Sequence, residues 1–409
     1  MRFITVVVLV IVPVCLFAQL SYKMIDPNVN DARAYSMGKT EILSSYSSNS
    51  VFSNPAHLAL IQNRTFQLGG RGWMGKTEDE YNDWVTGFSV DEKYKLHPKL
   101  THLSIAMPYA LSGSDILLGL GAGFNTINDL GTNYLAEIDR DDIEIEINQD
   151  INGGINVISV GGGVHFSEKY SLGLSFNKSI MSKYLEVLEV ESRTSDGVDF
   201  DYEEEYSADF STTFINLGGI AIVNEQFTVG FMYRNRFEME VSNLEYSYKD
   251  ADSSSSDEGS DIDITIPSTT GFSAAYQLDE NTLIVGEYQT RSWKDLEYDE
   301  ENAEIDNGSA IRLGAEFGQP SKFRVGYYSE SVAATNGDLL DEDPLKKSGF
   351  TVGAGFGSDQ FKLDIFFDYG WMNYEYEYEG FDYQGNPVNK DLEVKNNFYV
   401  FGASCTFNK

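Results

Sequence analysis

The sequence predicts an all-β protein, a 14-stranded antiparallel transmembrane β-barrel with an N-terminal hatch of short helices and turns. Three observations predict it. From Thr65 onward, runs of about ten residues alternate apolar with polar side chains. The connections between these runs alternate strictly between short and long. Most of the 64 acidic residues fall in the long ones. Short turns at one end and long polar loops at the other are the mark of an outer-membrane barrel. A soluble sandwich has no reason to sort its loops this way.

In chain order, residues 1–18 read as a secretion signal, with Arg2, the apolar run 4–12, Pro13 and a small residue, Ala18, for cleavage. Cys15 lies between Pro13-Val14 and Leu16-Phe17, a poor lipid-attachment box. Without the signal, Cys405 is the only cysteine, so no intrachain disulfide is expected despite export. Residues 19–63 read as the hatch. Ala32, Ala34, Ser36 and Gly38 are followed by a Ser/Asn-rich run and then by Asn54-Pro55-Ala56. Asn-Pro initiates a turn, and Pro55 suits the first position of a short helical turn. On these residues alone, a plug and a plain surface loop before the first strand both stand open.

Residues 64–409 read as the barrel, with strands at 65–75, 99–110, 115–125, 156–166, 171–180, 210–223, 227–241, 264–278, 282–293, 309–318, 323–330, 349–357, 361–371 and 394–407. The short links, such as 167–170 and 224–226, carry the turn residues that hairpins need. The long links, with runs such as DFDYEEE (199–205) and DADSSSSDEGSD (250–261), read as solvated, partly disordered loops. Alternation assigns the faces: Phe361, Leu363, Ile365, Phe367 and Tyr369 outward, Lys362, Asp364 and Asp368 inward. In lipid only closure satisfies every strand, so an open sheet is excluded.

A net charge of -35 argues against a nucleic-acid partner. His57, His97, His102 and His165 lack metal-ligand spacing, and no loop has EF-hand spacing. No metal or other cofactor is expected. No nucleophile–base constellation is evident, and the chain does not read as an enzyme. Arg234, Arg236, Arg291, Arg312, Arg324 and Lys362 fall on the lumen face. They could grip an anionic ligand, or pair with Glu287, Glu316, Asp364 and Asp368 across the lumen.

With the barrel read, Arg33-Ala34-Tyr35-Ser36, Asn54-Pro55-Ala56 and the strand opening Thr65-Phe66-Gln67-Leu68-Gly69 resemble the start of the FadL-type long-chain fatty-acid transporters of bacterial outer membranes. Phe231-Met232-Tyr233-Arg234 and Ile311-Arg312-Leu313-Gly314 extend the likeness over essentially the whole mature chain. The resemblance implies passive uptake of hydrophobic molecules across a Gram-negative outer membrane. Asn54, Pro55 and Ala56 would belong to the gating hatch, and release would be sideways through a kink in the third strand. There Gly119, Gly121 and Gly123 would permit a bend, or simply close packing against lumen neighbours. Arg234, Arg291, Arg312 and Arg324 would be the cations facing an anionic ligand. The expected partners of this monomer are a hydrophobic small molecule, outer-membrane lipid and the barrel-assembly machinery. The alternative is a FadL-like scaffold in a secretion system, its acidic loops serving as a docking surface.

Overall fold

The computed structural model describes residues 28–79, 90–110, 115–140, 143–194, 200–334, 343–381 and 387–409. The proposed signal segment lies outside them. Fourteen strands cross the wall. They are β1 (Thr65–Asp79), β2 (His97–Ala110), β3 (Leu117–Asp129, resumed at Thr132–Arg140), β4 (Ile143–Phe166) and β5 (Tyr170–Ser179, resumed at Lys183–Thr194). Then come β6 (Phe200–Ile222), β7 (Phe227–Arg234, resumed at Phe237–Asp250), β8 (Thr269–Asp279), β9 (Thr282–Arg291) and β10 (Gly308–Phe317). The last four are β11 (Lys322–Ser331), β12 (Lys346–Gly357), β13 (Phe361–Phe381) and β14 (Pro387–Asn408).

Each strand pairs antiparallel with the next, and β14 returns to β1 in an unbroken register from Thr65↔Asn408 to Asp79↔Val394. The sheet is closed and has no edge. No helix among the described residues is long and apolar enough to cross a membrane; the crossing is made by strands. Along β13, Phe361, Ile365, Phe367 and Tyr369 are exposed on the outer face while Asp364 and Asp368 are buried on the inner one. Aromatic pairs mark two levels on that face, Phe361–Phe407 near the turn end and Tyr369–Tyr399 near the loop end. An apolar band between two aromatic girdles is the surface of an outer-membrane barrel.

The hairpin turns follow from local chemistry. Between β4 and β5, Ser167 and Glu168 both take positive φ, 57° and 54°, as a type I′ turn requires. The turn ends of the strands lie within a few residues of the positions the alternation predicts.

The loop ends do not, and the reading of the long links as disordered loops is corrected for the described residues; 80–89, 195–199, 335–342 and 382–386 lie outside them. The acidic segments are paired strands that rise above the band. Residues 143–154 pair with 183–194, and 183–192 pair in turn with 200–209. Their acidic residues alternate with apolar ones, and the apolar set is buried as a small core of Ala136, Ile145, Ile147, Leu188 and Val190. A run such as DYEEEYSAD reads as solvated by its composition, yet alternation decides its structure. The rim is uneven, because β9, β10 and β11 have only 10 residues each while β4 has 24 and β14 has 22. We expect amides of residues 186–190 and 202–206 to exchange with solvent several-fold more slowly than those of the 250–253 turn. Equal rates would return these segments to loops.

Candidate functional site: the hatch and its seat

Residues 28–63 fold inside the barrel and touch opposite walls. Asp31 starts the chain of contacts as the N-cap of helix α1 (Ala32–Ser36), accepting from the Ala34 amide at 3.0 Å. Its carboxylate also accepts from Ser47 Oγ at 2.9 Å and Gln67 Nε2 at 3.1 Å, so one buried acid ties α1, the Ser/Asn run and β1 together.

Against β9 to β13 the hatch is held by charge. Arg33 grips Glu316 through Nε at 2.8 Å and Nη2 at 3.2 Å, and donates to the Ser44 carbonyl at 2.6 Å. Tyr35 donates to Asp368 at 3.1 Å and stacks on Phe366 with ring centroids 4.1 Å apart. Lys39, in the left-handed region, sits 3.5 Å above the Tyr328 ring and reaches Glu330 at 3.6 Å and Asp368 at 3.5 Å. Glu287 accepts the amides of Glu41 and Ile42, both at 2.9 Å. Tyr35, Lys39, Glu287, Glu316 and Asp368 are buried and Arg33 and Glu330 partly so, which makes each pair costly to break from one side only.

The second grip is on the opposite wall and is made of backbone. Asn54 caps the short 3-10 turn Pro55–Leu60; its Oδ1 accepts from Ala56 N at 3.2 Å and its Nδ2 donates to the Ile42 carbonyl at 2.9 Å. Beneath this turn lies a row of four glycines in register across four strands, Gly119↔Gly163, Gly163↔Gly173 and Gly173↔Gly218. A Cβ on Gly119 would strike the Leu58 backbone. On Gly163 or Gly173 it would strike Pro55, and on Gly218 the Asn54 side chain. The turn therefore rests directly on strand backbones. Gly38, with φ +69°, is the counterpart near α1; Gly314 and Gly326 meet Met37 and Gly38 there in the same way.

The residues singled out from the sequence separate here. Asn54, Pro55 and Ala56 form the turn on the glycine row. Gly119 lies under it, Gly121 faces Leu58 and Val51, and Gly123 lies beside Ser104 of β2. All three sit in β3 where its pairing to β2 and β4 is continuous. The irregularity of β3 lies further along, as a bulge between Thr126 and Asn128 and a break at Leu130-Gly131. Arg312 pairs with Glu287 and Glu330, both at 3.1 Å, and Arg324 pairs with Glu316 at 2.7 Å and Asp364 at 2.6 Å. Arg291 pairs with Glu330 at 3.3 Å.

Arg234 differs, since no carboxylate pairs with it among the described residues. Its Nε donates to Asn216 Oδ1 at 3.1 Å, and its guanidinium lies over Phe52 and Phe214. One lumen assignment is corrected. Arg236 is exposed and pairs with Glu297 at 2.9 Å, because β7 is interrupted at residues 235–236 and the alternation restarts. Lys362 shares the inward parity of Asp364 and is exposed at the turn end of β13. Sequence reasoning missed Lys39, Glu330 and the glycine row. Part of the row was accessible, because Gly163 and Gly173 lie equally far from the β4–β5 turn.

His57 Nε2 lies 2.9 Å from the Ile42 carbonyl, which can only accept, so Nε2 carries a proton and donates. Burial pushes its pKa down to about 4. The unfolded hatch takes up a proton on this ring near pH 6.5 that the seated hatch refuses. The contribution is therefore fully present above about pH 6.5. It falls as pH drops toward 4, by about 1.4 kcal/mol per unit. We expect protease sensitivity of residues 40–60 to rise over that window, and His57→Gln, which keeps a donor, to flatten the rise. An unchanged pH profile in the variant would refute this. Gly173→Val is expected to unseat the turn at a cost of about 1–3 kcal/mol, the usual range for overpacking. Gly286→Val, whose added carbon would meet only the Leu313 side chain at 3.5 Å, should cost less in thermal denaturation.

A crystal structure of a Pseudomonas aeruginosa FadL homologue superposes with a TM-score of 0.62 at 12% identity, covering 94% of this chain and 99% of that one. The Pseudomonas putida toluene transporter TodX gives 0.58 at 14%, covering 93% and 98%. The Ralstonia pickettii toluene transporter TbuX gives 0.55 at 12%, covering 92% and 98%. At such identities the likeness is one of fold. A search of curated protein sequences returns no match. The BamG family model matches residues 26–370. The chain is an outer-membrane β-barrel of FadL-type fold and belongs to the BamG family.

Proposed function

We propose that this barrel is a passive outer-membrane channel for hydrophobic molecules bearing an anionic end, of the long-chain fatty-acid class, closed at rest by its hatch. The observation that carries the reading is Arg234. It is a buried cation without a carboxylate partner among the described residues, at the floor of an apolar cluster. That cluster takes Phe52 from the hatch, Phe214 and Met239 from the wall, and Trp293 from the β9–β10 loop. A carboxylate would find its counter-charge at Arg234, with the tail against these rings. The FadL-type fold supports the same reading.

The cluster also includes Ile127 and Leu130, the bulge and break of β3. Sideways release at that irregularity, rather than at Gly119 to Gly123, fits the continuous pairing of the glycine stretch. Gly131 there abuts the His97 ring, and its carbonyl accepts from Trp73 Nε1 at 2.8 Å. The cavity beside Arg234 holds about 30 Å³, so a ligand must displace Phe52 and the hatch turn to enter.

That filled interior favours a second reading, a protein-binding scaffold. Uptake by cells or proteoliposomes separates the two. Under the channel reading, Arg234→Gln lowers uptake of a long-chain fatty acid several-fold and spares a neutral hydrocarbon, whereas Asn54→Ala alters both. Unchanged uptake in both variants, with a stoichiometric protein partner co-purifying, would establish the scaffold instead.

A further inference from the structure

The outer surface of the barrel carries an apolar groove that neither reading uses. It lies on β2 to β6 and borders about 720 Å³ of space that opens toward the bilayer. Its walls include Tyr109, Leu120, Leu172 and Leu174, all about half exposed on the bilayer side. Its floor is backbone. Gly162 faces outward between its register partners Leu120 and Leu174, so one side chain is missing from the middle of the belt. Next to it, Gly119, Gly163 and Gly173 face inward onto the Pro55–Leu58 turn.

The occupant follows from position and chemistry. The groove is continuous with the lipid-facing band, and its lining is almost wholly apolar. Water gains nothing there. It sits at the turn end of the strands, Leu172 being the third residue of β5, which places it in the periplasmic leaflet. Behind it the pairing is unbroken from Leu117↔His165 to Asn125↔Val157, so whatever fills the groove arrives from the membrane and not from the lumen. We propose that this groove binds one acyl chain of a periplasmic-leaflet phospholipid. The chain would lie a single backbone thickness from the hatch turn, across the wall that carries the glycine row. This inference does not depend on whether the barrel transports.

Photolabelling of the full-length protein in proteoliposomes tests it, using a phospholipid with a diazirine near the end of one acyl chain. Adducts should concentrate several-fold on peptides covering 117–120 and 160–174 relative to 308–317 and 346–357 on the far wall. Even labelling around the barrel would overturn the site. In Leu120→Trp and Leu174→Trp, which fill the groove without touching the hatch, the local labelling should fall several-fold. The phospholipid retained in native mass spectrometry should be lost as well. Phe350→Trp, on the far wall, should change neither. Persistent local labelling in both groove variants, or an apolar segment of another protein cross-linked there in place of lipid, would also overturn it.

Discussion

A closed sheet in a bilayer leaves one problem to the inside. Every strand hydrogen bond is satisfied around the ring, but a 14-stranded ring encloses more space than its own inward side chains fill. Residues 28–63 are the solution, and the rest of the interior is arranged to receive them. Where the hatch turn meets β3 to β6, the wall gives up its side chains, so backbone lies on backbone. Where α1 and residues 37–42 meet β9 to β13, the wall offers carboxylates and takes cations in return. The two grips face each other across the lumen.

The electrostatics of the interior follow from the same constraint. Buried ions need partners, and here they come from both sources: Glu316 holds Arg324 from the wall and Arg33 from the hatch, and Glu330 holds Arg312 and Lys39. Withdrawing the hatch would leave Glu316, Glu330 and Asp368 each short of a partner. Motion of the hatch therefore has to exchange these partners for water or for a ligand. Arg234 stands outside the exchange, held by Asn216 and the Phe52 and Phe214 rings.

Much of the barrel was legible because two-residue alternation and turn chemistry are local. The turn ends of the strands and the lumen positions of Arg312, Arg324 and Glu316 follow from counting. Other features depend on what lies across the lumen, and no local pattern carries that. Lys39 is an ordinary lysine in sequence and a central counter-ion in the fold. Gly119 was open to a bend or to close packing, and it lies packed under a turn of the hatch. The acidic strands above the membrane were misread for a different reason, since composition outweighed an alternation that was present in DYEEEYSAD. Arg236 was misplaced because a two-residue interruption resets the parity of a strand.

The uneven rim gives the barrel a front and a back within the plane of the membrane. On the side of β9 to β11 the wall stops at 10 residues, while β13 and β14 on one flank and β4 to β6 on the other stand well above it. The exposed acidic residues of those tall strands, such as Glu189, Glu191, Glu203 and Glu205, set like charge against like charge wherever two such flanks approach one another.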